Sequence, residues 1–137
     1  MIYLPDTNAC IKYINRKNSP ILHKFTTIPR QDVVLCDIVK FELYYGAYKS
    51  TRQEKNLALL DEFFSEFVCL HFDDQAIRKA AQVRAQLAVK GTPIGPYDLQ
   101  IAAIALVNDL TLVTHNTREF SRIAGLAIED WEEAKVY

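Results

Sequence analysis

The sequence predicts an α/β protein with a mainly parallel sheet and helices on both faces. Short apolar runs of strand length alternate with longer segments of helical periodicity, which is the pattern of βαβ units. The runs are apolar throughout, as expected of strands that are buried on both faces. The predicted strands are Ile2–Leu4, Val33–Cys36, Val68–Leu70, Leu110–Thr114 and Leu126–Glu129.

Composition limits the possible classes of protein. The chain has 137 residues, of which 50% are hydrophobic, so we expect a single folded domain over residues 1–137. Sixteen basic residues stand against 17 acidic ones, which gives a formal net charge of −1. A protein that binds nucleic acid on its own is more often basic, so any such role needs a local basic patch or a metal ion.

The cysteines and the chain start predict a cytoplasmic protein. Cys10, Cys36 and Cys69 are scattered and odd in number, which is typical of buried thiols in a reducing compartment. The N-terminus lacks the pattern of a secretion signal. The longest apolar run, Ile101–Val107, is too short for a membrane span, so we expect no membrane association.

The first half of the chain predicts four helices. The first follows Asp6, with Thr7 or Asn8 as its N-cap, and the second begins at Pro20 with Ser19 as its cap. The third, Ile38–Tyr48, is predicted to bury a stripe of Ile38, Phe41 and Tyr45, and Asp37 fits its N-cap. Thr51 and Glu54 form a capping box for the fourth, whose core stripe is Leu57, Leu60, Phe63, Phe64 and Phe67.

The second half predicts two long helices around a rigid loop. Asp73 and Asp74 resemble a metal site, but an N-cap with favourable dipole interactions explains them better, and Gly91 ends that helix. Its predicted inward residues are Ile77, Ala80, Ala81, Val83 and Leu87.

The rigid loop is 92–98. It has two prolines and a glycine, and it leads into a buried helix, Leu99–Asn108, with Asp98 in the first turn. After the next strand, Asn116 and Glu119 have capping-box spacing, and Trp131 is predicted to pack over an edge of the sheet.

Three acids stand at junctions between elements on one predicted edge of the sheet: Asp6, Glu42 and Asp98. Taken singly, Asp6 fits an N-cap about as well as a functional group, and Glu42 fits a solvated helix residue. If they converge, two carboxylates about 4 Å apart repel by roughly 4 kcal/mol at an effective dielectric constant of 20. A cation relieves such repulsion, and oxygen-only ligation favours Mg²⁺ or Mn²⁺. Metal-assisted phosphodiester hydrolysis is the chemistry that fits.

The chain resembles PIN-domain ribonucleases, and within them the VapC toxins of bacterial toxin–antitoxin pairs. Each motif is weak alone, but their common order and spacing are specific, and the likeness covers essentially the whole chain. The segments that carry it are Leu4–Asn8, Glu42–Ala47, Ile94–Asp98 with Ile101–Ala102, Leu112–Phe120, Gly125–Leu126 and Glu129–Trp131.

The resemblance implies a three-layer α/β/α fold and Mg²⁺- or Mn²⁺-dependent endonucleolytic cleavage of RNA. The metal-binding acids would be Asp6, Glu42 and Asp98. The position of the family's fourth acid is occupied by Asn116, which brings no charge, and Glu119 is a nearby replacement. Thr114 matches a hydroxyl that helps to hold the site by a hydrogen bond. Asp37 departs from the family, which more often has Ser there.

The resemblance also implies partners. These are a second copy of the chain in a homodimer, a VapB-type antitoxin that covers the active site, and operator DNA bound through the antitoxin. Relatives of this subgroup cleave initiator tRNA in the anticodon region, which makes tRNA the expected substrate. The apolar side chains around Phe63, Phe64 and Phe67, and around Ile11 and Ile14, would then have a use in assembly.

Two other functions are open at this point. One is a non-catalytic binding module in which the acids are caps, which Asn116 makes possible. The other is a haloacid-dehalogenase-like phosphatase, in which the Asp after the first strand is a nucleophile. That class needs a second Asp two residues later, and Asn8 stands there. His115 and four basic residues are possible substrate contacts, but an ordinary surface role explains each of them more simply. The basic residues are Arg84, Lys90, Arg118 and Arg122.

Overall fold

The α/β architecture predicted from the sequence is confirmed by a computed structural model that describes residues 1–15 and 20–132. The predicted cap Ser19 lies outside these ranges. The helices are α1 Thr7–Ile14, α2 Pro20–Thr27, α3 Asp37–Tyr48, α4 Gln53–Ser65, α5 Asp74–Lys90, α6 Pro96–Val107 and α7 Thr117–Phe120, and a 3-10 turn covers Arg30–Asp32. The strands are β1 Tyr3–Pro5, β2 Leu35–Cys36, β3 Cys69–Leu70, β4 Thr111–Val113 and β5 Ile128–Glu129.

All the strand pairings are parallel, and β1 lies in the middle. It pairs with β4, which in turn pairs with β5, while β2 pairs with β3. A bridge between Tyr3 and Val33 joins the two groups, so the order across the fold is β3-β2-β1-β4-β5. The chain leads from β1 to β2 and β3 on one side of the sheet and then to β4 and β5 on the other side. Open α/β sheets bind ligands at the carboxyl ends of the strands where the strand order changes direction in this way.

The core surrounds α6 and the central strands. Residues Ile101 to Ala105 of α6 are all buried, as the apolar run predicted. Trp131 is also buried, with its ring edge-on to Tyr3 and Phe25 at 5.1 and 5.3 Å between ring centroids. Because Tyr3 belongs to the central strand, Trp131 covers a face of the sheet and not an edge.

Helix α3 turns a different face inward than predicted. Val39, Leu43 and Ala47 are buried, whereas Phe41 and Tyr45 are 52% and 59% exposed. The prediction was wrong because apolar residues occur on several sides of this helix, so helical periodicity alone does not select one. Packing against α4, α1 and α6 selects the smaller side chains.

Helix α5 shows the same kind of error. The predicted inward residues Ala80, Val83 and Leu87 are buried, but Ile77 is 48% exposed and Ala81 is exposed. Ala76 takes the place of Ile77 in the core. Two adjacent apolar residues at each turn leave the register of the stripe undecided until α6 packs against it.

Some predicted helix ends are confirmed and others are wrong. Asp73 caps α5 by accepting a hydrogen bond from the Ala76 amide at 3.0 Å, and Gly91 ends that helix with φ of 70°. The cap of α1 is Asp6 itself, in place of Thr7 or Asn8. The residue before α4 is Arg52, with no side-chain cap, so the capping box at Thr51 is absent.

Two further helix starts differ from the prediction. Helix α6 starts at Pro96, three residues earlier than predicted. Asp37 is the first residue of α3 and does not cap it; its carboxylate accepts a hydrogen bond from the Phe72 amide, which links the ends of β2 and β3.

The phenylalanines of α4 belong to the core, as predicted. Phe63 and Phe64 are buried, and Phe67 is partly buried against them. Cys10 and Cys36 are buried free cysteines, and burial raises the pKa of both thiols. No helix in the described part of the chain is long and apolar enough to cross a membrane.

Gly46 and Gly91, two of the exposed glycines, test the helix assignments. A methyl group at either position meets no atom within 4 Å, so packing does not decide the effect. Gly91→Ala should lower the free energy of unfolding by about 1 kcal/mol because of its positive φ. Gly46→Ala, inside α3, should raise it by about 0.5–1 kcal/mol. Urea denaturation measures both, and a loss of stability in both variants would contradict the assignment of α3.

Candidate active site

Asp6 is the centre of the candidate site. It follows β1 directly, and its backbone amide donates to the Val113 carbonyl at 2.9 Å, which joins the ends of β1 and β4. The side chain is only 6% exposed. One carboxylate oxygen accepts a hydrogen bond from the Ala9 amide at 2.9 Å, and the Thr114 hydroxyl donates another. Asp6 is therefore a helix cap and a buried site residue at once.

Glu42 reaches the same place from α3. Its Oε1 accepts a hydrogen bond from the Thr7 hydroxyl at 2.7 Å, across 35 residues of sequence. Since Thr7 is the neighbour of Asp6, this contact brings the second acid to the end of β1. The sequence indicated Thr7 only as a possible cap of α1 and did not predict this contact.

Asp98 lies in the first turn of α6, which Pro96 begins. Its carboxylate interacts electrostatically with those of Asp6, Glu42 and Glu119. All three acids predicted to converge therefore lie in the same region of the site, although one oxygen from each of them does not come within 4.8 Å of the other two. The two helix N-termini, of α1 and α6, partly compensate the negative charge because their dipoles favour anions.

Glu119 and Asn116 join the site from the other side. Glu119 accepts hydrogen bonds from the Gly95 amide at 3.2 Å and from the side-chain amide of Asn116 at 2.7 Å. The first contact connects α7 to the loop before Asp98. Asn116 precedes α7 without a side-chain cap, so the predicted capping box is absent. The backbone amide of Asn116 donates a hydrogen bond to the Thr114 hydroxyl at 3.0 Å.

The crowding of carboxylates changes their acidity. Burial raises the pKa of Asp98 to about 6, and the charges of Glu119, Asp6 and Glu42 add to the effect. Burial also raises the pKa of Asp6, and Glu42 and Asp130 act in the same direction, against the hydrogen bonds from Thr114 and Ala9. Both shifts show that the folded site disfavours its own negative charge.

The donor set fits a hard divalent cation. The three side chains offer carboxylate oxygens, which Mg²⁺ and Mn²⁺ prefer, and a cation would offset the mutual repulsion that adds to burial in raising the pKa of Asp98. The residues that would hold it are Asp6, Glu42 and Asp98. Glu119 is the other carboxylate that acts on Asp98, whereas Asn116 donates its amide to Glu119.

A second polar group lies beside this site, and the sequence did not predict it. His115, Asp130 and Glu132 bring ligand atoms within 4.8 Å of one another. The His115 Nδ1 lies 3.0 Å from Asp130 and 3.5 Å from Glu132, and Lys12 pairs with Glu132. The charge of Asp130 also acts on Asp6. The sequence signals were two of the family segments, Leu112–Phe120, which contains His115, and Glu129–Trp131, which contains Asp130.

Comparison with known proteins identifies the family. The PIN domain family model matches residues 3–126. A VapC from Salmonella typhimurium, named a tRNA(fMet)-specific endonuclease, is 44% identical over 129 residues, with 94% of this chain and 97% of that protein covered. The chain belongs to the VapC group of PIN-domain proteins.

Other VapC proteins give the same result. A protein of the same name from Shigella flexneri is 40% identical, with 94% of this chain and 97% of that protein covered. In the crystal structure of DNA-bound VapBC from Salmonella typhimurium, a chain with 44% identity superposes with a TM-score of 0.90. The match covers 96% of this chain and 98% of that one. The three-layer PIN fold predicted from the motifs is thereby confirmed.

Repulsion at the site should appear in the stability of the metal-free protein. The folded pKa of Asp98, about 6, lies above its ordinary value of 3.8, so the folded state binds the proton more tightly. The free energy of unfolding should therefore fall as pH rises from about 4 to 6 and level off above. Because Asp98 is partly exposed, we expect a fall of about 1–2 kcal/mol after allowance for solvent screening.

Asp98→Asn should remove the part of this fall that Asp98 causes and make the metal-free protein more stable at pH 7. Urea denaturation in EDTA between pH 4 and 8 measures the effect. The matched control is Asp74→Asn, an exposed acid in the first turn of α5 that pairs with Arg78. Identical pH profiles for Asp98→Asn and the unsubstituted protein would contradict the electrostatic description of the site.

Proposed function

We propose that this chain is the toxin of a VapBC-type pair and a metal-dependent endoribonuclease that cleaves tRNA. The observation that supports the activity is the convergence of Asp6, Glu42 and Asp98 at the carboxyl edge of the sheet, with a raised pKa at Asp98. The relatives named tRNA(fMet)-specific endonucleases favour initiator tRNA as the substrate.

The roles of the residues follow from their contacts. Bound Mg²⁺ or Mn²⁺ would supply an activated water and a Lewis acid for phosphodiester hydrolysis. Asp6, Glu42 and Asp98 would hold the ion, with Glu42 oriented by Thr7 and Asp6 by Thr114 and the Ala9 amide. These hydrogen bonds fix the carboxylates before a ligand arrives, so little reorganisation is required.

Glu119 is the proposed fourth carboxylate, in place of the neutral Asn116. Its charge is the largest electrostatic influence on Asp98, after burial. The Gly95 amide and the Asn116 side chain both orient Glu119, so Asn116 has a positioning role. Thr114 positions Asp6 in the same way.

The VapB-type antitoxin would bind a groove next to Glu42. This groove lies between α1, α3 and α4 and contains apolar residues together with Glu42. Ile11 and Leu59 in it are 39% and 43% exposed, and Ile14 is half-buried. An apolar helix placed here would extend to the acids and cover them. Operator DNA would then be bound through the antitoxin, and similar VapBC complexes from Salmonella typhimurium and Rickettsia felis have been crystallised with DNA.

We further propose that the chain forms a homodimer. An open groove of about 790 Å³ runs between α5 and α6 and is lined mainly by small apolar side chains, including Ala81, Ala88 and Pro93. The apolar residues of α5 that packing left outside, Ile77 and Val89, extend this face.

A binding module without catalysis is the alternative that remains open. It is favoured by the cap contact of Asp6 and by the uncharged Asn116. In that case, neutral substitutions at the acids would leave the biological effect intact. A haloacid-dehalogenase-like phosphatase is not favoured, because position 8 is an exposed Asn in α1.

Cleavage of tRNA by the antitoxin-free protein tests the activity. With Mg²⁺ or Mn²⁺ we expect discrete fragments, which should disappear in EDTA and fall at least about 100-fold with Asp98→Asn, since an oriented charge at the reaction centre is lost. Gel analysis of end-labelled initiator tRNA and of elongator tRNAs measures both rate and target.

The control is Asp74→Asn, an exposed acid in α5, which should cleave at the normal rate. Glu119→Gln and Asn116→Asp together distinguish the two candidates for the fourth position. Glu119→Gln should lower the cleavage rate, and the unsubstituted protein should cleave RNA without the added carboxylate of Asn116→Asp. Folded protein that cleaves no RNA with any metal but still arrests growth would support the binding module.

Antitoxin binding has its own prediction. Ile11→Asp or Leu59→Asp should weaken binding of a VapB-type antitoxin by at least about tenfold, because each buries a charge in an apolar groove. Isothermal titration calorimetry measures the affinity, and tRNA cleavage by each free variant checks that the fold is intact. Val68→Asp, at an exposed residue beside β3, is the control. Unchanged affinity for both groove variants would contradict the proposed location.

A further inference from the structure

Helix α3 carries a stripe of large aromatic side chains that folding leaves outside. Phe41, Tyr45 and Tyr48 lie at spacings of four and three residues and are each more than half exposed. Exposed aromatic rings that form a continuous patch mark an interaction surface more often than scattered apolar residues do. The exposed stripe therefore indicates a binding surface on α3.

The start of this stripe lies at the candidate active site. Phe41 precedes Glu42 on α3, and Tyr97 precedes Asp98 on α6. The two rings contact each other edge to face, with 5.7 Å between their centroids. Tyr97 is 45% exposed, so the pair offers accessible ring faces beside two of the acids.

Basic groups accompany the rings. Lys40 precedes Phe41, and its ammonium lies 5.4 Å from the centroid of the Phe64 ring. The Lys49 ammonium lies 5.3 Å from the centroid of the Tyr45 ring. Aromatic faces next to lysines form the kind of surface that binds single-stranded nucleic acid, in which bases stack on rings and cations track the phosphates.

We propose that Phe41 and Tyr97 stack the unpaired bases of RNA that flank the cleaved phosphodiester. The inference rests on the proposed ribonuclease function and specifies its substrate: RNA with bases free to leave a helical stack, such as a loop, and not a continuous duplex. The commitment to RNA over a second copy of the chain follows from continuity with the acids. The rings belong to residues that precede Glu42 and Asp98 in the sequence and contact each other across α3 and α6, whereas the groove between α5 and α6 offers a larger apolar face for a second copy.

The experiment uses the full chain with Asp98→Asn, which keeps the RNA intact, and a single-stranded RNA oligonucleotide containing 2-aminopurine. Stacking on a ring should quench the 2-aminopurine fluorescence on binding. Adding Phe41→Leu or Tyr97→Leu should weaken binding by roughly 5- to 100-fold and remove the quenching. Tyr97→Phe should retain both, and Val68→Leu, at an exposed residue beside β3, should change neither. A fully paired duplex of the same sequence should bind without quenching.

Cleavage and molecular mass complete the test. In protein that retains Asp98 and can cleave RNA, Phe41→Leu and Tyr97→Leu should raise KM for a loop-containing RNA more than they lower kcat. Unchanged affinity and quenching in both would overturn the inference, as would a loss of binding accompanied by a halved mass in light scattering, which would assign the rings to a second copy. If unsubstituted protein cleaves no RNA with any metal, the proposed function fails, and the 2-aminopurine signal still decides whether bases stack here.

Discussion

The carboxylate of Asp6 is buried at the carboxyl end of the central strand, next to other acids, and the surrounding elements have to hold it there against their repulsion. Three other acids act on the same edge, so like-charge repulsion would open the site unless the scaffold held them. The backbone bond from Asp6 to Val113, the Thr7 contact with Glu42 and the Gly95 contact with Glu119 provide that support. Each comes from a different element.

Stability and function are therefore opposed at this edge. The raised pKa of Asp98 shows that the negative charge of this carboxylate destabilises the folded protein. Such stored repulsion is characteristic of functional sites, and here a divalent cation is the ligand that would relieve it. The metal would also provide the positive charge that a chain with a net charge of −1 lacks for a substrate as acidic as RNA.

The apolar faces left outside divide among the proposed partners. The groove with Ile11 and Leu59 adjoins Glu42 on one side, and the rings of Phe41 and Tyr97 adjoin the acids on another. The groove between α5 and α6 is a separate surface that is lined mainly by small apolar side chains. A small protein with half its residues hydrophobic thus retains enough apolar surface for an antitoxin, a second copy and an RNA substrate.

The parallel α/β class, the five strands and the choice of three candidate acids followed from the sequence alone, because apolar runs of strand length and their polar ends are local signals. Tertiary packing alone decided which faces of α3 and α5 are inward, since both helices have apolar residues on neighbouring stripes. It also decided that Asp6 caps α1 and that Asp130 and His115 lie beside the site. Contacts between residues far apart in sequence, such as Thr7 with Glu42, leave no local pattern to detect.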